Sequence, residues 1–264
     1  MFILYLLHQN KYINCFNKIT IIICTFNILV SCGSQVNSFF LNEDEKENQA
    51  IVYAEGWGNQ YKYPLVILLN NEIEKENVNI SKQIQNAMDT WNNAIGKKIL
   101  TLKLVNKIPS ENNFISLYSP LNYKNSIIYF DKKNEKNDGW HERTGKDRNI
   151  LASTIFRSER NIIINAAIRF NHDNYLFGNT KTDHGNGKQI LVDMESIALH
   201  EFGHVLGLGH MLSESSSVMY PFINTGRDSI DSPSTVRCLS KNDINRIRKI
   251  YKGGKEARFS CLQK

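Results

Sequence analysis

The chain has 264 residues, 41% of them hydrophobic and 22% charged, which is enough to bury one sizeable core and ordinary for a globular protein. Its formal net charge of +6 is scattered, with no Arg-rich helix and no aromatic–basic interleaving, so nucleic acid is excluded as an expected partner.

Lys11 and Lys18 are the only formal charges before Glu43, and Ile19 to Val30 is almost wholly apolar. A positive flank and a short apolar run fit a signal peptide better than a membrane span. The run ends Leu29-Val30-Ser31-Cys32-Gly33, which resembles the bacterial lipobox, with Cys32 as the lipidated residue. The organisation expected is a lipoprotein signal peptide over residues 1–31, a polar tether over 32–60 and a folded domain over 61–264. The protein is then exported and held to the bacterial cell envelope through Cys32, at the outer membrane or surface, with plain secretion as the alternative. Of five cysteines, two lie in the signal segment and one at the lipobox, leaving Cys238 and Cys261. In an oxidising compartment they read as a disulfide pinning the C-terminal tail, or else as two free thiols.

Pro64 to Leu69 reads as a buried strand. Val78 to Ile95 carries Ile80, Ile84, Ala87, Met88, Trp91 and Ile95 at helical spacing, with Asn79 or Ser81 as the N-cap. Ile99 to Val105 alternates like a strand, and Phe114 to Tyr118 and Ile127 to Phe130 are two more. Asp131 to Asn149 reads as a charged surface loop. Ile150 to Phe156 and Ile162 to Phe170 read as strands joined by a tight turn, followed by a loop from Asn171 to Lys188. A helix is expected from about Val192 to Leu206, then an irregular stretch to Arg237. Lys241 to Tyr251 is a last amphipathic helix with Ser240 as N-cap. This order describes a single α/β (α+β) domain with a mostly continuous sheet and three main helices.

The chemistry is concentrated in His200-Glu201-Phe202-Gly203-His204-Val205-Leu206-Gly207-Leu208-Gly209-His210. Residues four apart share one helix face, so His200 and His204 can offer two imidazole nitrogens to one ion. Glu201 projects from nearly the same edge, placed as a base and not as a ligand. Gly207 can take the left-handed conformation that ends a helix and reverses the chain, bringing His210 round as a third nitrogen. Three neutral histidines leave a fourth position open, as a catalytic zinc site requires.

With Ser217-Val218-Met219-Tyr220-Pro221 following as a Met-turn, the sequence resembles the metzincin metallopeptidases, and Tyr220-Pro221 after the methionine resembles their matrixin branch. The likeness runs from about Tyr61 to Lys252. It implies a metzincin-like catalytic domain with a twisted, mostly parallel five-stranded sheet and one catalytic zinc on His200, His204 and His210. It also implies Glu201 as general base and Met219 as the floor beneath the ligands. Further implications are that an extended peptide substrate pairs with the edge strand near Leu151 and Ala152, and that Leu199, Tyr220 and Pro221 border the pocket beyond the scissile bond. The chain departs from the family in three places. Pro221 stands where some branches carry a metal-approaching tyrosine. No cysteine-switch segment is present, the Arg237-Cys238 pair lying after the site. Structural zinc and calcium sites are unsupported, because His172, Asp173 and His184 lack the spacing and read as exposed loop residues. A zinc-dependent endopeptidase is the expectation, with a non-catalytic, zinc-containing surface lipoprotein that uses the fold for binding or adhesion as the alternative.

Overall fold

The computed structural model describes residues 30–31, 55–59, 61–76, 79–108, 126–133, 135, 139–225 and 235–253. Most of the expected signal segment, Cys32, the strand at Phe114 to Tyr118, and Cys261 lie outside these residues. In chain order the elements are β1 (Val30–Ser31), β2 (Leu65–Asn70), α1 (Ile73–Glu76), α2 (Ile80–Ile95), β3 (Leu100–Val105), β4 (Ser126–Asp131), α3 (Trp140–Thr144), β5 (Ala152–Glu159), β6 (Ile162–Asn171), β7 (Tyr175–Gly178), β8 (Ile190–Asp193), α4 (Met194–Val205) and α5 (Lys241–Tyr251).

Six of these strands form one mixed sheet, ordered β1-β5-β6-β4-β2-β3, one more than the expected five because the two-residue β1 adds to the edge of β5. The neighbours β3/β2, β2/β4 and β4/β6 are parallel, whereas β6/β5 and β5/β1 are antiparallel. Parallel neighbours require crossovers, and α2 supplies the one between β2 and β3. Its stripe of Ile80, Ile84, Ala87, Met88, Trp91 and Ile95 is buried in a core shared with Leu199 and Phe202 of α4, Ile247 of α5, and Ile67, Leu69 and Ile168 of the sheet. The expected α/β architecture is the observed one.

Several local expectations are corrected. Neither Asn79 nor Ser81 caps α2 with its side chain. Asn79 sits at φ 74° without a capping bond, and the Glu74 carboxylate takes the amides of Asn79 at 3.1 Å and Ser81 at 2.5 Å. Within the presumed loop before β5, Trp140 is fully buried and nucleates α3. The loop after β6 begins with β7, which pairs in parallel with β8. Val192 and Asp193 therefore belong to a strand, and the following helix starts two residues later than expected, at Met194. Trp57, assigned to the tether by its polar surroundings, is 3% exposed and joins the core, so the folded part begins before Tyr61.

His172 is buried, not an exposed loop residue. Its Nδ1 lies 3.1 Å from the Tyr175 carbonyl and its Nε2 3.1 Å from Glu76, and its ring packs edge-on to Phe130. Asp173 spends its carboxylate as a staple, accepting from the Lys133 amide and, at 2.6 Å, the Trp140 amide. His184 is exposed. The three are not brought together.

Candidate metal centre

Helix α4 is held at both ends. At its start, Asp193 accepts from the Ser196 amide at 3.0 Å and the Ser196 hydroxyl at 2.6 Å. It also accepts from Arg237 Nε at 3.0 Å and Nη2 at 2.5 Å. Burial alone would raise the Asp193 carboxyl, but the Arg237 and Ser196 hydrogen bonds outweigh it and hold the group below its usual range. The Val236 amide donates to Ser196 Oγ, so this bond and those of Arg237 clamp the segment leading to α5 onto the start of α4.

At its end, Leu208 N donates to Gly203 O and Gly207 N to His204 O, both at 2.9 Å, with Gly207 at φ 100°. This is a Schellman closure, and a side chain at Gly207 would be strained in it. Other elements take the carbonyls of the helix and its exit. Trp57 Nε1 donates to Val205 O at 2.8 Å, Tyr251 Oη to Leu206 O at 3.0 Å, and Arg246 Nη2 to Gly209 O at 2.6 Å.

The reversal brings three imidazoles face to face. The ring centroids of His200, His204 and His210 lie 4.7, 4.8 and 5.4 Å apart in pairs. One donor atom from each falls within 4.8 Å of the others, which no other group of three or more His, Cys, Asp or Glu achieves among the described residues. His200 Nδ1 is 2.6 Å from Val218 O, and His204 Nδ1 is 2.8 Å from Leu208 O. A carbonyl only accepts, so each Nδ1 carries the hydrogen and each Nε2 presents a lone pair. Those two Nε2 atoms are 3.1 Å apart. Two lone pairs so placed repel each other but suit a shared cation, since Zn–N bonds of about 2.0–2.1 Å in a tetrahedron set ligand nitrogens about 3.3 Å apart. An all-imidazole donor set suits zinc.

Burial, then the His200 and His210 rings, push His204 well below the ordinary value for histidine. Burial, then His200 and Arg246, push His210 from 6.5 to about 3. Both rings are therefore neutral donors at physiological pH. In the metal-free protein this has a stability consequence. Between about pH 6.5 and about pH 3 the unfolded chain binds protons that the fold refuses, so stability falls as pH falls through that window. The thermal midpoint of chelator-stripped protein is expected to drop steadily from neutral pH toward pH 4, and less steeply in His210→Gln. A midpoint that stays flat over this range contradicts the assignment.

Met219 is fully buried. A β-carbon on Gly203 would stand 3.0 Å from Met219 Cε, closer still to its sulfur, and 3.1 Å from Trp91 Cζ2, so the methionine reaches the ligand helix because Gly203 has no side chain. The Met-turn is anchored by buried Asp243, which accepts from Ser217 Oγ at 2.5 Å, Val218 N at 3.0 Å and Ser240 N at 2.9 Å. Since the Val218 carbonyl meets His200 Nδ1, Asp243 bears on the placement of that ring through Val218.

Glu201 is 2% exposed, and its Oε2 lies 2.6 Å from the hydroxyl of Thr154 on β5. Of the other residues expected to border the substrate, Leu151, Tyr220 and Pro221 are half-buried and Ala152 is buried. Leu199 is enclosed in the core, with its carbonyl accepting from Trp91 Nε1 at 2.8 Å. Phe222 is 72% exposed and meets Tyr220 edge-on. Sequence reasoning missed the roles of Trp57, Thr154, Asp193, Arg237 and Asp243. Only Asp243 left a signal, standing three residues after the N-cap Ser240 as in a capping box.

The family model described as Matrixin matches residues 57–252, about three quarters of the chain. Among curated proteins, the chain is 45% identical over 60 residues to Metalloendoproteinase 2-MMP of Arabidopsis thaliana, covering 23% of this chain and 14% of that protein. It is 42% identical over 59 residues to Metalloendoproteinase 1 of Glycine max, covering 22% and 17%. With Matrix metalloproteinase-25 of Mus musculus it shares 35% identity over 79 residues, covering 30% and 11%. The matched stretch thus spans less than a fifth of the length of each of these relatives.

Proposed function

Because the chain belongs to the matrixin family, we propose that it is a zinc-dependent endopeptidase whose metal is held by His200, His204 and His210 and whose general base is Glu201. The observation that carries this reading is the convergence of three imidazoles whose Nδ1 atoms are spent on backbone carbonyls, beside a buried carboxylate. Zinc held there supplies Lewis acidity, which makes water a nucleophile near neutral pH and polarises the scissile carbonyl. Glu201 accepts the proton that the attacking water loses and delivers it to the departing amine. Burial keeps bulk water from competing for that proton.

An extended peptide is the substrate class that fits. The outer edge of β5 takes an antiparallel partner in this structure, Val30 opposite Ile155 and Ser31 opposite Thr154. A substrate strand would take the place of that pair and use the same backbone groups. Tyr220 and Pro221 would then wall one side of the cleft, with Leu151 and Ala152 along the other. Export and a lipid anchor at Cys32 belong to the same proposal and rest on the apolar run ending in Leu29-Val30-Ser31-Cys32.

The test is metal removal. Incubation with a zinc chelator is expected to abolish cleavage of a proteome-derived peptide library, and equimolar zinc to restore it. Zinc near one per chain with no peptide cleaved would overturn the endopeptidase reading in favour of the non-catalytic binding role.

A further inference from the structure

Thr154 is fully buried on β5, and its neighbours on the same face, Ala152 and Phe156, belong to the hydrophobic core. A hydroxyl in such surroundings is costly unless it is bonded, and valine would fill the same space without that cost. Thr154 Oγ1 lies 2.6 Å from Glu201 Oε2 and 3.2 Å from the Glu201 backbone carbonyl. Both neighbours accept, and the hydroxyl has one hydrogen, so the shorter contact to the carboxylate receives it. The separation falls in the range of a charge-assisted O–H···O⁻ bond, about 2.5–2.7 Å. Branching at Cβ restricts the threonine side chain, and the pairing of β5 with β6 fixes the backbone that carries it.

We propose that Thr154 is a positioning residue for peptide hydrolysis: its hydroxyl holds one oxygen of the Glu201 carboxylate, fixes the plane of the group, and ties the base to the strand that receives the substrate. The proposal rests on the reading of Glu201 as the base. No proton leaves Thr154, whose hydroxyl hydrogen stays on Oγ1 while Glu201 takes and returns the proton of the attacking water. The effect sought is orientational, so it belongs in kcat and not in substrate binding.

The experiment compares wild type, Thr154→Val and Thr154→Ser at equal zinc content. The loss of one hydrogen bond to a charged group predicts that Thr154→Val lowers kcat about tenfold with KM within about twofold, while Thr154→Ser recovers most of the loss. A readout apart from turnover is the antisymmetric carboxylate stretch of Glu201, followed by infrared difference spectroscopy on isotope-labelled protein with and without metal. It is expected to shift in Thr154→Val and to stay in place in Thr154→Ser. Wild-type kcat in Thr154→Val, a serine variant as impaired as the valine one, or an unmoved band each overturns the proposal. The two readings fail differently: equal turnover by wild type and Glu201→Gln removes the base itself, whereas a shifted band with unchanged turnover in Thr154→Val removes only the positioning role.

Discussion

Glu201→Gln is expected to keep about one zinc per chain and to lose roughly a hundred- to ten-thousandfold in kcat, with KM little changed. Glutamine matches glutamate in shape and can still accept from the Thr154 hydroxyl through its amide oxygen. It cannot take a proton from water at neutral pH, so the loss falls on the chemical step. The metal should stay, because the ligands are supported independently of this side chain. His200 is oriented by Val218 O and His204 by Leu208 O, and neither carbonyl depends on Glu201. Metal analysis alongside steady-state cleavage of a peptide separates the two effects. Undiminished turnover would reject the general-base role, and loss of zinc would show that the carboxylate supports the ligands after all.

The second large effect concerns a residue with no functional atoms. Gly203→Ala improves helix propensity by about 0.5–1 kcal/mol, which on an exposed face would stabilise the protein. Here the new methyl meets the Met219 sulfur and methyl and the Trp91 ring. Overpacking a close-packed core costs about 1–3 kcal/mol, so the packing term is expected to win and the variant to unfold at lower denaturant. Trp91 is anchored to α4 by its indole bond to Leu199 O, so the methionine is the side with room to yield. Displacing it moves the Met-turn and, through Val218 O, the orientation of His200. Zinc affinity is therefore expected to fall together with stability. The double variant Gly203→Ala/Met219→Ala, measured as a cycle with both single variants, should recover part of both losses. Additive losses would mean that the methyl clashes elsewhere.

The clustering of three histidines was legible because it is local. His200 and His204 are one helical turn apart, and Gly207 marks the reversal that delivers His210. The same held for the apolar stripe of α2 and for the last helix, whose bounds at Lys241 and Tyr251 come from a serine cap and isoleucine spacing. The support of the site was not legible, because it is made by pairs distant in sequence. Nothing near Thr154 announces Glu201, 47 residues away, and nothing near Arg237 announces Asp193, 44 residues away. These pairs exist only because β5 lies beneath α4 and the later segment folds back over its start. His172 was misread for a related reason, since its polar neighbours suggest a loop while Phe130 and Phe177 close around its ring. The β7–β8 pair escaped because four-residue strands within a polar stretch carry too little period to count.

The fastening of α4 by Trp57 and Tyr251 also bears on the order of folding. Their bonds to Val205 and Leu206 span 148 and 45 residues. Contacts of such separation are closed late and slowly, after loop entropy has been overcome. A chain still emerging during synthesis holds all three histidines well before it holds Tyr251. The carbonyls at the end of α4 therefore gain their last partner only when the domain is whole, and the histidine cluster is ordered with it.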